Sequence, residues 1–170
     1  VYYDCLINQL DINIANGQIM TMGAQFIGAG YSRRTASTPT YPTGKPYLWD
    51  QASCTYNGQA IVDIKDLSIS VNNNFEANYT LSNTKAPHRI KRTGPQLIEL
   101  SGTLIFAQHS YAIAFENQSE LPLVLFFTGA DSPSTFKLDV PSFRFKTYET
   151  TMKGAGLVEA SFTAGAQYKV

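Results

Sequence analysis

Apolar and polar residues alternate along most of this chain with a period of two, the pattern of strands that bury one face and wet the other. From Leu6 to Ile14 the alternation becomes clear late in the run, with Leu10, Ile12 and Ile14 on one side and Asp11 and Asn13 on the other. Asn16-Gly17 follows, and this dipeptide between two alternating runs predicts a tight hairpin. Gln18 to Ile27 is its partner strand, with Met20, Met22, Ala24 and Phe26 on one face. Ala60 to Val71 reads as a long strand that changes phase: Val62 and Ile64 share one parity, while Leu67, Ile69 and Val71 share the other. A strand exchanges faces only through an extra residue, which predicts a β-bulge near Lys65-Asp66. Asn72-Asn73-Asn74 bends or ends that strand, and Phe75 to Leu81 is short and extended.

Further strands are predicted over Leu97–Phe106, Leu123–Phe127, Ser134–Val140, the Phe143/Phe145 run and Leu157–Ala164. In the first of these Ile98, Leu100, Leu104 and Phe106 face inward. Gly102 sits in the same series, where a neighbouring backbone or a bulky ring comes close. One segment breaks the period. From His109 to Glu120 the residues Tyr111, Ala114 and Phe115 fall at helical spacing, and Ser110 is placed to cap a short helix. The total is about nine strands and one flanking helix, so the predicted class is mostly β: an antiparallel sandwich or rolled barrel in a single domain over 1–170.

Two stretches depart from alternation. Residues 31–56 hold Pro39, Pro42 and Pro46 together with Arg33, Arg34, Tyr31, Tyr41, Tyr47 and the only tryptophan, Trp49. A flexible linker is not composed this way. The stretch reads as an arm or long hairpin that docks on its own body or on a neighbour, because Tyr and Trp bury much area with little entropy loss. Residues 83–95 form a basic loop carrying Lys85, His88, Arg89, Lys91 and Arg92. Phosphate contact is one reading of such a cluster. A solvated loop, or one that meets acidic groups of a neighbouring subunit, is the other.

Composition narrows the function classes. The chain has 170 residues, of which only 15% are charged, and Lys plus Arg equals Asp plus Glu at 13 each. That balance gives no global attraction to nucleic acid or an anionic membrane. Polar bulk comes from amides and hydroxyls, which are cheaper to desolvate than charges and suit surfaces covered by other proteins. No apolar run approaches the ~20 residues of a membrane span, and no signal peptide is visible. Val1 already lies in a strand-like run, which reads as a processed or truncated start. Cys5 and Cys54 read as reduced, partly buried thiols. The two glycosylation-type triplets, at Asn78 and Asn117, read as chance. With two histidines and no metal-ligand spacing, nucleophile elbow or phosphate loop, nothing nominates a catalytic, metal or cofactor site.

Three runs resemble the bacteriophage major tail tube proteins of the siphophage type. They are DIKDLSISVNNNFEANYTLSN (63–83), RTGPQLIELSGTLIFAQHSYAIAFENQSELPLVLFFTG (92–129) and FKLDVPSFRFKTYETTMKGAGLVEASFTAG (136–165). The likeness is carried by Leu67, Ile69, Val71, Asn73 and Asn74, then Gly102, Leu104, Phe106, Tyr111 and Phe115, then Leu138, Asp139, Pro141, Phe143 and Phe145. The opening hairpin is similar too, and residues 31–56 match least. The resemblance implies a non-enzymatic virion protein, assembled in the host cytoplasm and stacking as hexameric rings into the conduit for genome ejection. Its partners would be its own copies, the tape-measure, terminator and baseplate proteins, and passing DNA held without specificity. In that setting the arm and the basic loop would make subunit contacts, and Asp63, Asp66 and Glu76 would face the lumen. A terminator, distal-tail or baseplate ring protein of the same fold is the nearest alternative. A carbohydrate- or receptor-binding β-sandwich using the aromatic arm is a more distant one.

Overall fold

A computed structural model describes residues 2–32, 38, 40–41, 44–81, 85–105, 110–129, 135–153 and 157–166. Along them run β1 (Tyr2–Ala15), β2 (Thr21–Tyr31), β3 (Ala52–Tyr56), β4 (Gln59–Ile61), β5 (Ile64–Asn72), β6 (Phe75–Asn78), β7 (Arg89–Arg92), β8 (Leu97–Ile105), α1 (Ser110–Glu116), β9 (Leu121–Thr128), β10 (Thr135–Lys153) and β11 (Leu157–Ala166). Nine strands hydrogen-bond in the order β2-β1-β5-β8-β11-β10-β9-β3-β4, and β6 and β7 form a separate two-stranded hairpin. Every pairing is antiparallel. The mostly-β class, the antiparallel sheet and the single short helix are therefore as expected.

The long strand β10 turns this sheet into two layers. Thr135 to Phe143 pairs with β9, and Phe143 to Lys153 pairs with β11. Between them the register shifts at Val140/Phe143, around Pro141. Proline has no N–H for the ladder, so a bulge is where a strand tolerates it. The shift also exchanges parity: Phe136, Leu138 and Val140 point inward before it, Phe143 and Phe145 after it. A strand that changes layers through a bulge makes the corner of a rolled sandwich. The two runs predicted as separate strands are thus one bent strand of 19 residues.

Inside the corner lies one apolar cluster. Ile12, Ile69, Leu100 and Phe127 come from different strands and are almost fully buried. Tyr56, Phe143, Phe145 and Phe162 stack edge to face, with Phe143 and Phe145 centroids 4.8 Å apart, the arrangement that ring quadrupoles favour. The helix covers one side, Tyr111 and Ala114 buried and Phe115 stacked on Tyr148. It stops at Glu116, short of Glu120, because Gln118 takes φ 53°. Gln118 N–H donates to Phe115 O and Ser119 N–H to Ala114 O, both at 3.0 Å, which is the left-handed Schellman stop. The helix begins at Ser110, and the position that would cap it lies outside the described residues.

The phase change in β5 is a bulge at the predicted place. Ile64 faces Leu104 and Asp66 faces Thr103, so Lys65 is the additional residue. At its foot the Asp66 carbonyl and the Phe162 ring press on Gly102, where a Cβ would overlap the carbonyl oxygen and sit 3.1 Å from the ring. Several expectations need correction. The strand predicted over Ala60–Val71 is broken, because Val62 projects into solvent between β4 and β5. Met22 and Phe26 share a face as expected, but that face is exposed. Cys54 is buried, whereas Cys5 is exposed. The end of the supposed arm folds onto its own body. Met20 N–H donates to Tyr47 O and Trp49 N–H to Gln18 O, the Tyr47 ring lies 5.8 Å from Phe127, and 52–56 is strand β3.

Candidate assembly surfaces

Three surfaces stand out, and the sheet positions each. The first is the outer face of β1, β5, β8, β11 and the second half of β10. Register places Asn13, Ser68, Ser101, Thr163 and Thr147 in one row across these strands. Asp11, Ser70 and Glu99 start a second row, and Asp66, Thr103, Ser161 and Glu149 make a third. Short polar side chains link neighbouring strands within the rows. Ser68 Oγ donates to Asn13 Oδ1 at 2.6 Å and Ser70 Oγ to Asp11 Oδ1 at 2.7 Å, and the Thr147 and Thr163 hydroxyls lie 2.7 Å apart. Two lysines are tied down: Lys146 to Glu99 at 2.8 Å and Lys65 to the buried Glu159 at 2.7 Å. The result is a broad polar face whose remaining carboxylates are Asp11, Asp66 and Glu149, with exposed Arg144 closing the second row.

The second surface is at the end where β5 finishes and β8 begins. There β1 pairs with β5 only from Gln9 onward, so residues 2–8 with 25–31 form a two-stranded ribbon beyond the body. Tyr2, Leu6 and Tyr31 and, on the opposite side, Tyr3, Ile7 and Phe26 are all exposed. Tyr3 lies over Gly30, filling the place of the absent side chain. The β6–β7 hairpin projects at the same end. Asn8 and Asn73 anchor it: Asn73 N–H donates to Asn8 O and Phe75 N–H to Asn8 Oδ1, both at 2.8 Å. Arg92 stacks on Phe75 with its guanidinium carbon 5.2 Å from the ring centre. Ribbon and hairpin flank a cleft of about 820 Å3 lined by Tyr2, Phe26, Tyr31, Tyr79, Lys85 and Pro87.

The third surface is at the opposite end of the same strands, beside the Asn16-Gly17 turn. A groove of about 400 Å3 runs between the β3–β4 hairpin and the start of β5, with Trp49, Ile61, Val62 and Leu67 on its walls and Asp50 and Asp66 along it.

The residues singled out from the sequence divide among these surfaces. Tyr31 and Lys85 meet at the cleft; Arg89, Lys91 and Arg92 form β7, with His88 just before it; Tyr47 packs on the core and Trp49 lines the groove. Tyr41 is exposed, and Arg33 and Arg34 lie outside the described residues. Of the three acids, Asp66 is on the polar face, Asp63 sits in the link before β5, and Glu76 faces Lys91 in the small hairpin. Sequence reasoning missed the ribbon. Its signal was the run Tyr2-Tyr3 and Leu6-Ile7, apolar at both parities, which leaves neither face polar.

The electrostatics are those of a packed body. Burial pushes the Cys54 thiol up to about 12 and raises the hydroxyls of Tyr56, Tyr111 and Tyr148. The hydrogen bond to Glu159 raises Lys65. Each of these shifts leads away from neutrality, opposite to what acid–base chemistry requires. Among the described residues, no three His, Cys, Asp or Glu gather where they would hold a metal ion, and no helix is long and apolar enough to cross a membrane.

Comparison with known proteins adds the following. A family model described as phage tail tube protein matches residues 1–166. Among solved structures the chain is similar to the SPP1 tail tube determined by solid-state NMR and cryo EM. Identity is 12%, coverage is 95% of this chain and 74% of that one, and the TM-score is 0.38. No curated protein matches.

Proposed function

The chain belongs to the phage tail tube protein family, a structural component of the virion tail, and from that premise we propose that its copies join edge to edge into closed hexameric rings whose polar sheet faces line the channel for ejected DNA. The observation that carries this reading is the open β2 edge. Strand β2 ends the nine-stranded order and runs for 11 residues. A row of unsatisfied backbone groups of that length invites another strand, and ring closure removes such edges altogether. Among the described residues no strand but β1 pairs with it; the 47–49 segment bonds Gln18 and Met20 just ahead of it, and the β6–β7 hairpin comes near it without pairing.

The polar face suits a lumen. Its hydroxyls offer DNA no run of cations, and Asp11, Asp66 and Glu149 repel phosphate, so a duplex would slide without binding. On this reading Asp66 would face the lumen, whereas Asp63 sits in the link before β5 and Glu76 in the separate β6–β7 hairpin. Tape-measure, terminator and baseplate proteins would be met at the lumen and at the two ends of the tube.

Electron microscopy of concentrated protein tests the reading, with hollow tubes as the expected outcome. Ser101→Cys, at the centre of the polar face and made in a Cys5→Ser background, should react in those tubes with a small maleimide but not with one carried on a bulky polymer. Equal reaction with both places this face outside and overturns the lumen assignment. Particles that remain single at every concentration overturn ring formation itself.

A further inference from the structure

The two ends of the strands are chemically unlike, and each matches the other. At the end carrying the β6–β7 hairpin, the chain displays Tyr79 and Leu81, both among the most exposed apolar residues, next to exposed Lys85 and Arg89, with Lys91 set opposite Glu76 behind them. At the opposite end lies the groove walled by Trp49, Ile61 and Val62, with Asp50 exposed on it and Asp66 beside it. Lys65, the cation of that groove, is held by Glu159 at 2.7 Å. One end is therefore an apolar knob ringed by bases, the other an apolar groove edged by acids.

We infer that the Tyr79, Leu81 and Lys85 side chains at the end of the β6–β7 hairpin of one copy seat in the Trp49 groove of the next copy along the tube axis, and that this knob-in-groove junction gives the tube its direction. The inference rests on the ring-and-tube reading and names the partner of these two surfaces: a second copy of this chain. Charge complementarity selects it. The cations at one end and the carboxylates at the other meet only when copies stack head to tail, whereas two like ends would set base against base. The surfaces lie at opposite ends of β1 and β5, so the contact is heterologous and does not close on itself. Such a contact repeats without limit, as a filament requires. Apolar burial at Leu81 and Trp49 supplies affinity, and the flanking charges set orientation and register.

The test uses two variants altered only at exposed positions. Lys85→Glu/Arg89→Glu spoils the knob and keeps the groove; Asp50→Lys spoils the groove and keeps the knob. Far-UV circular dichroism should match wild type for both. Each variant alone should shorten tubes roughly tenfold or more under conditions where the wild type polymerises. In an equimolar mixture the intact knob meets the intact groove and the reversed knob meets the reversed groove, so the mixture should associate in ultracentrifugation under conditions where neither variant does so alone. A chain carrying all three changes should regain tubes, because its reversed charges again complement one another.

Tubes of wild-type length from either variant, or no association in the mixture, overturn the knob-in-groove assignment. Association is read without tubes. If the wild type never forms tubes yet the mixture associates, the tube reading fails while the junction stands.

Discussion

The rolled body and the ribbon at its end are built from the same two strands under opposite rules. In the body, β1 sends Leu10, Ile12 and Ile14 inward and polar residues outward, and every inward residue finds an opposing layer. Earlier on the same strand, Tyr2, Tyr3, Leu6 and Ile7 leave both faces apolar and exposed. A two-stranded ribbon is at best marginal alone, so the ribbon depends on surroundings that the chain itself does not supply. The body specifies the subunit, and the ribbon and the β6–β7 hairpin specify what the subunit meets. One truncation on each side separates the roles most sharply. Phe127 is 0% exposed, and Phe127→Ala should destabilise by about 3–5 kcal/mol in urea unfolding. Phe26 is 61% exposed, and Phe26→Ala should stay within about 0.5 kcal/mol of wild type while reducing assembly in sedimentation. A destabilisation at Phe26 that rivals the one at Phe127 would erase the distinction.

That contrast also explains what was legible beforehand. Most strands with one buried face were located by periodicity, β3 excepted, and the parity break at Lys65 located the bulge. Gly102 was readable as a close approach because a glycine in an inward series has few other uses. The hairpin at Asn57-Gly58 was not recognised. It joins β3 to β4 with both residues at positive φ, 50° and 74°, as a type I′ turn requires. At the predicted Asn16-Gly17 turn only Gly17, at 77°, is positive. The cause was composition: prolines and aromatics made the whole of 31–56 look like an arm, although its last five residues are a strand sealed onto β9. The small hairpin was hidden for a related reason. Arg89-Ile90-Lys91-Arg92 looks like a solvated loop until Phe75 lies beneath Arg92, and that pairing is not local in sequence. The assembly surfaces were least legible, because a groove or a cleft arises from elements that only the fold brings together.

The two cysteines sharpen the comparison at a smaller scale. Cys5 is on the ribbon and exposed; Cys54 is in the body and buried. Burial moves Cys54 from 9.0 to about 12. Its folded pKa lies above its unfolded one, so the native state keeps a proton that the unfolded chain releases. Stability is therefore intact below pH ~9 and falls as pH rises from there toward 12. At pH ~10 the loss from this group is about 1.4 kcal/mol. The buried tyrosines and the Glu159-bound Lys65 shift in the same direction and steepen the loss beyond their ordinary 10.0 and 10.5. Urea unfolding across pH 8 to 10 should decline in wild type and in Cys5→Ser alike, and less steeply in Cys54→Ala, where the tyrosines and Lys65 remain. A native-state thiol reagent should modify Cys5 and spare Cys54. An unchanged slope in Cys54→Ala would remove the thiol as the cause.

The smallest effect concerns two ion pairs that look alike by distance. Lys146 meets Glu99 at 2.8 Å with both side chains about half exposed or more, whereas Lys65 meets Glu159 at 2.7 Å with the carboxylate only 8% exposed. Water competes for the first pair at both ends and for the second chiefly at the lysine. A double-mutant cycle on Lys146 and Glu99 should give a coupling below about 1 kcal/mol, vanishing at about 1 M salt, where the screening length falls to ~3 Å. The cycle on Lys65 and Glu159 should give a larger coupling that persists in salt, because the solvent that screens an exposed pair is excluded from Glu159. Equal couplings would mean that the bulge at Lys65 leaves Glu159 as accessible as Glu99. The body would then be wetter at that end than its packing indicates.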